Sequence, residues 1–186
     1  RNILSSLLSS EDNRSRKLDK KVLNEVAKAA YAMSEVKTGA LIVIEQDVRL
    51  GEYERTGISI DAEVSNQLLL NIFEHNTPLH DGAVLIRNNR IASATCYLPL
   101  SDNMDISKAL GTRHRAAIGV SEVSDSITVI VSEETGAVSL AHNGTVIRNI
   151  PKDKFLDKIN EIRKEESVTT KMKWWKGFGK HGKKDS

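Results

Sequence analysis

Two short runs in this sequence carry residue types that do chemistry together. The first is Thr77-Pro78-Leu79-His80-Asp81-Gly82-Ala83, where an imidazole and a carboxylate stand side by side ahead of the apolar run Val84-Leu85-Ile86. A carboxylate is a hard oxygen ligand for a divalent cation and can also accept a proton, while Gly82 lets backbone or ligand come close. The second is Gly111-Thr112-Arg113-His114-Arg115-Ala116-Ala117. Guanidiniums, an imidazole and a hydroxyl at what reads as a helix start suit an anion, because the open N–H groups of a first helical turn add to the attraction. A cation site followed closely by a phosphate site is the equipment of a metal-dependent nucleotide enzyme.

Each run alone has an ordinary explanation. Asp-Gly is most often a turn, and a basic triplet is most often a solvated face. It is the combination, with glycine and threonine ahead of the basic residues and a helix behind them, that favours a site. Glu133-Glu134 reads by itself as a hairpin tip, Tyr97 as core, and His75 and His142 as surface residues.

Elements that can hold these runs are legible on both sides. Leu18, Val22, Val26, Ala29 and Met33 recur at helical spacing and predict a helix ending near Gly39. Ala40 to Ile44 reads as a buried strand, Glu45 to Gly57 as a polar surface loop, and Ile58 to Ile60 as a short edge strand. Asp61 or Ser65 can cap a helix carrying Val64, Leu68 and Ile72. Gly82 to Arg87 and Arg90 to Cys96 form a hairpin around Asn88-Asn89, a pair that tolerates positive φ. Tyr97-Leu98-Pro99-Leu100 leaves the sheet, a polar loop runs from Ser101 to Lys108, and a short helix follows Gly111-Thr112 to about Val123. Ile127 to Val131 alternates as a strand, Glu133 to Gly136 turns, Ala137 to Ala141 returns, and Asn143-Gly144 turns again into Thr145 to Arg148. Pro151 opens a last helix with Phe155, Ile159 and Ile162 on one face. The expected class is α+β, a mixed, largely antiparallel sheet flanked by helices.

The 186 residues fit one domain with tails, and a net charge of +2 provides no global field toward nucleic acid or membrane. Cys96, the only cysteine, excludes an internal disulfide and a cysteine-built zinc site, and suits a reducing compartment. No run of about 18 apolar residues is present, the length a spanning helix needs. Residues 1–17, Ser-rich and charged, read as a linker or frayed helix, and 167–186 as a basic tail, expected to be disordered, with Trp174, Trp175 and Phe178 interleaved.

His80-Asp81-Gly82-Ala83, Tyr97-Leu98-Pro99-Leu100, Gly111-Thr112-Arg113-His114-Arg115 and Ser132-Glu133-Glu134-Thr135-Gly136, in that order, resemble the diadenylate cyclase domain, of the membrane-associated CdaA type. The resemblance runs from about the first helix to Arg148, within an expected domain of residues 18–166. It implies condensation of two ATP into cyclic di-AMP with loss of two pyrophosphates, using Mg²⁺ or Mn²⁺. By resemblance, Asp81 is the catalytic aspartate, assisted by Arg113 and His114, and Asp81, His80 and Glu134 are metal ligands. Gly111, Thr112, Arg113, His114 and Ser132 grip the phosphates, Arg115 supports their loop, and Tyr97 and Leu98 hold adenine. It further implies a catalytic homodimer, a membrane anchor preceding residue 1 with the domain in the cytoplasm, and a YbbR-domain protein and phosphoglucosamine mutase as partners. A nucleotide-sensing domain without catalysis is the alternative. An RNA-binding module is disfavoured, since aromatics are only 4% and leave no stacking platform.

Overall fold

The computed structural model describes residues 18–103 and 111–165. The expected linker at 1–17, most of the loop after Ser101 and the tail at 167–186 lie outside the described residues. The chain forms two compact units, Arg1–Lys152 and Asp153–Ser186.

In the first unit the elements are α1 (Lys20–Glu35), β1 (Ala40–Ile44), α2 (Gly51–Glu54), β2 (Ile58–Glu63), α3 (Asn66–Ile72), β3 (Ala83–Arg87), β4 (Arg90–Cys96), α4 (Thr112–Val123), β5 (Ile127–Val131), β6 (Val138–His142) and β7 (Thr145–Ile147). Among the described residues the strands make one seven-stranded sheet in the order β2-β4-β3-β1-β5-β6-β7. Of these strands only β1 and β3 run parallel; every other neighbouring pair is antiparallel. The class is the expected α+β.

Helices cover both faces of the sheet centre. Ala116, Ala117 and Val120 of α4 share a core cluster with Leu41, Val43, Leu85, Ile130 and Ala141. Strand side chains alternate between faces, so Ile42 and Ile44 point away from α4, and α1 crosses β5 and β6. This is why β1 and β5 are buried at every position, where alternation was expected for β5. Asp19 caps α1 by accepting from the Lys21 amide at 2.9 Å, and Val22, Leu23, Val26, Ala29, Ala30 and Met33 form its buried stripe. Both hairpin turns have the expected backbone: Asn88 and Asn89 at φ 49° and 63°, Asn143 and Gly144 at 48° and 71°.

Several local readings change. The Glu45–Gly57 segment holds α2, because the Glu45 carboxylate is buried and accepts from the Leu50 amide at 2.8 Å and from Arg49 at 3.0 Å. Strand β2 runs on to Glu63 through a register shift, and Asp61, at φ 47°, pairs with Arg90 at 2.8 Å. Ser65 therefore caps α3, which buries Leu69 and Ile72 and leaves Leu68 half-exposed. After Pro151 comes a 3₁₀ turn, Lys152–Lys154. The second unit continues as a helix over residues 155–165, with Phe155, Ile159 and Ile162 at the expected spacing.

Candidate functional site

The first turn of α4 divides two depressions. On one side is a cleft of about 200 Å³ bordered by Asp81, Gly82, Tyr97 and Leu98. On the other, a smaller depression of about 70 Å³ is walled by Gly111–His114, Ser132–Thr135, Ser139 and Arg148. Thr112 and Arg113 border both.

Asp81 reaches its cleft through a turn that only glycine permits. Gly82 has φ +96°, and a Cβ there would lie 2.9 Å from the Thr95 carbonyl carbon and 3.0 Å from the Cys96 oxygen. The chain entering β3 is thus pressed onto the end of β4, and Asp81 stands exposed on the rim. No described residue hydrogen-bonds its carboxylate. His80 is fixed differently: its Nδ1 is 2.6 Å from the Thr77 carbonyl oxygen. A carbonyl only accepts, so Nδ1 carries a proton, and in the neutral ring it is Nε2 that offers the lone pair to a metal. Tyr97 is 65% exposed, so its ring is open to stacking and is not core. Its amide already donates to Thr56 Oγ1 at 2.9 Å, which leaves that N–H committed away from a base edge.

The smaller depression is more tightly built. Gly111 is the N-cap of α4 without a side-chain cap bond, and no acidic residue sits in the first turn, so the positive end of the helix is uncompensated by either. The Arg113 guanidinium lies over Gly39, where a Cβ would come within 2.8 Å of its Cζ, and Nη1 donates to Glu133 Oε2 at 2.6 Å. His114 is 8% exposed. Burial, and then the Arg148 charge, push its pKa below the ordinary histidine value against the pull of Glu134, so its imidazole is held toward the neutral form. Ser132 shapes the β5–β6 turn, its hydroxyl accepting from the Thr135 amide at 3.3 Å, and presents Glu133 and Glu134 at an exposed tip. Arg115 points elsewhere: its Nη2 donates to the Ser101 carbonyl at 3.2 Å, and the Ser101 amide returns a bond to the Arg115 carbonyl at 3.0 Å. It braces the strand-to-helix connection.

The fold therefore brings Gly111, Thr112, Arg113, His114, Ser132 and Glu134 together, and gathers Asp81, Tyr97 and Leu98 in the adjoining cleft. His80 precedes Asp81 without lining either. Asp81 and Glu134 open into different depressions, and among the described residues no three His, Cys, Asp or Glu side chains form a metal cage. This donor set fits a cation that takes one or two carboxylates and completes its shell with substrate phosphate oxygens, the habit of Mg²⁺. Ser139 and Arg148 went unnoticed in the sequence. The Asn143-Gly144 turn was the available signal, because a two-residue turn fixes cross-strand register and sets these residues opposite one another.

The DAC family model, described as DisA bacterial checkpoint controller nucleotide-binding, matches residues 27–146. The chain is 50% identical over 159 residues to the cyclic di-AMP synthase CdaA of Bacillus subtilis (strain 168), covering 84% of this chain and 58% of that protein. It is 47% identical over 162 residues to the diadenylate cyclase of Listeria monocytogenes serotype 1/2a (strain 10403S), with the same 84% and 58% coverage. The chain thus spans less than two thirds of these curated relatives. Among solved structures it is similar to a double mutant of DacA from Staphylococcus aureus, at 49% identity and a TM-score of 0.74 over 76% of this chain and 95% of that one. A Bacillus cereus protein described as a hypothetical membrane spanning protein is 44% identical, with a TM-score of 0.67 over 69% of this chain and 63% of that one.

Proposed function

This chain belongs to the DAC family of nucleotide-binding domains, and from that premise we propose that it is a diadenylate cyclase, joining two ATP into cyclic di-AMP and releasing two pyrophosphates. The observation that carries the reading is the junction at Thr112 and Arg113, where a cleft with a carboxylate and an open aromatic ring meets a depression lined by a helix start and arginine.

Adenine lies against Tyr97 and Leu98, and the phosphates pass beneath Arg113 toward the α4 N-terminus. Asp81 takes the proton of a ribose 3′-hydroxyl as that oxygen bonds to an α-phosphorus and the bond to the β-phosphate oxygen breaks. The electron pair leaves with pyrophosphate, so negative charge grows where Arg113 and the open N–H groups stand. Neutral His114 serves as a hydrogen-bonding group here. A bound Mg²⁺ or Mn²⁺ would supply charge neutralisation for the phosphates; Asp81 would hold it together with substrate phosphate oxygens, and His80 Nε2 and Glu134, which lie outside the Asp81 cleft, are the further candidate ligands.

The chain has one copy of each motif, whereas the product has two equivalent phosphodiester bonds. Two protomers facing each other across a twofold axis satisfy both facts, each presenting its 3′-hydroxyl to the other's α-phosphate. A membrane anchor outside this sequence belongs to the same reading; the membrane-spanning description of the Bacillus cereus relative supports it. Among the described residues no helix is long and apolar enough to cross a membrane.

The test is incubation with ATP and Mg²⁺ or Mn²⁺, reading pyrophosphate and cyclic dinucleotide. Including 3′-deoxy-ATP should yield a linear dinucleotide with one pyrophosphate released, since a mixed dimer holds a single nucleophile. Nucleotide binding without any pyrophosphate would identify a sensor and overturn the catalytic assignment.

A further inference from the structure

Ser139 and Arg148 close the far end of the smaller depression, and the mechanism above leaves them unused. They belong to one continuous rung of the sheet. Cys96 pairs with Ala83, Leu41 with Ile130, and Ile130 with Ser139. Extending the β1–β3 register by one residue sets Ala83 beside Leu41, and extending the β6–β7 register by one sets Arg148 beside Ser139. Ala141, two residues from Ser139, and its partner Val146 pack in the α4 cluster, so Ser139 and Arg148 also face the α4 side. The rung runs from Cys96 in the Asp81 cleft, under the start of α4, to Arg148.

The chemistry at that far end calls for an anion with hydrogen-bond acceptors. Ser139 is 1% exposed, and its hydroxyl has no hydrogen-bond partner among the described residues, a condition native interiors rarely leave standing. Arg148 is exposed and makes no hydrogen bond or ion pair with another described residue, yet its charge reaches His114. The other charges at the depression are arranged around it. Glu133 is engaged by Arg113, and Glu134 sits on the turn opposite, within electrostatic reach of His114 and outside ion-pair contact with Arg148. A guanidinium without a carboxylate partner, over a buried donor without an acceptor, matches phosphate oxygens.

We propose that Arg148 and Ser139 form the terminal-phosphate subsite, binding the β- and γ-phosphates of the nucleotide and then the departing pyrophosphate. This rests on the cyclase reading. It assigns the direction in which the nucleotide lies: base at the Cys96 end of the rung, leaving group at the Arg148 end. Arg148 meets charge that is already present on bound ATP and that grows as the α–β bond breaks, so its loss weakens binding and rate together.

Calorimetric titration of the whole chain with ATP, AMP and inorganic pyrophosphate separates the possibilities. Arg148→Ala should weaken ATP and pyrophosphate by about tenfold or more and leave AMP unchanged, the scale of a lost charged hydrogen bond. Arg148→Lys should recover part of the loss, and Ser139→Ala should show a smaller loss of the same selectivity. Equal weakening of AMP, or unchanged affinity for ATP and pyrophosphate in Arg148→Ala, overturns the subsite while leaving the cyclase reading intact. Failure of the parent chain to bind ATP at all overturns both.

Discussion

The two depressions flanking α4 are finished to different degrees. Around the smaller one most groups are already held, with Arg113 seated on Gly39 and tied to Glu133, His114 buried and Ser132 fixed in a turn, while Ser139 and Arg148 at its far end are left for a ligand. In the larger one the chemical groups stand open, with Asp81 exposed on the rim and Tyr97 unpacked. A pre-set phosphate end needs little reorganisation to bind, and an open nucleophile end waits for something to complete it. That division suits a reaction in which one protomer holds a nucleotide by itself but reacts only when a second nucleotide arrives. Substitutions in the two regions should therefore fail differently.

The largest effect is expected from Asp81→Asn. The amide keeps the shape and removes both the charge and the proton acceptor, and loss of such a group costs about two orders of magnitude or more in turnover. ATP affinity should stay near the parent value, because the phosphate end is untouched. Turnover within a few-fold of the parent would remove Asp81 from the reaction.

Gly39→Ala sharpens the contrast from the other side. The new methyl would meet the Arg113 guanidinium at 2.8 Å, and since that is the far end of a flexible side chain the fold should survive while the guanidinium shifts. ATP affinity should fall by about tenfold, approaching the loss in Arg113→Ala, as expected for a misplaced charged hydrogen bond. In the Arg113→Ala background the same substitution should add nothing, because its only consequence has already been removed. Additive losses would show that Gly39 acts through some other contact.

What could be read from the sequence follows the same line between local and distant causes. Asn88-Asn89, Asn143-Gly144, the stripe of α1 and the start of α4 are set by neighbours a few residues apart, and each appears where expected. The seat of Arg113 on Gly39, the Arg113–Glu133 pair and the Asp61–Arg90 pair join residues far apart in the chain, and periodicity is blind to them. The polarity of residues 45–57 reads as a solvent-facing loop, whereas a buried carboxylate, Glu45, organises helix α2 there. Residue type alone points Tyr97 to the core for the converse reason, since an aromatic at the end of a strand has no local mark of exposure; only the resemblance sets it at adenine.

The smallest effect concerns pH and the state of His114. In the unfolded chain this histidine titrates near 6.5, whereas in the folded chain burial and Arg148 hold its pKa lower. Between those values the unfolded chain binds a proton that the folded chain refuses, so acidification favours unfolding. The stability contribution is complete above 6.5 and is lost as pH falls through the folded value, with a slope bounded by about 1.4 kcal/mol per pH unit for one proton. Glu25, held at about 2 by Lys28 and by the amide and side chain of Asn66, titrates well below this interval and does not obscure it. Urea unfolding midpoints at pH 7.5 and 5.5 should thus converge in His114→Gln relative to the parent chain. Arg148→Ala, which removes one of the two influences depressing the pKa, should give an intermediate dependence. If the parent and His114→Gln lose stability equally on acidification, the imidazole is not held neutral, and the phosphate end carries one more charge than the contrast between the two depressions assigns to it.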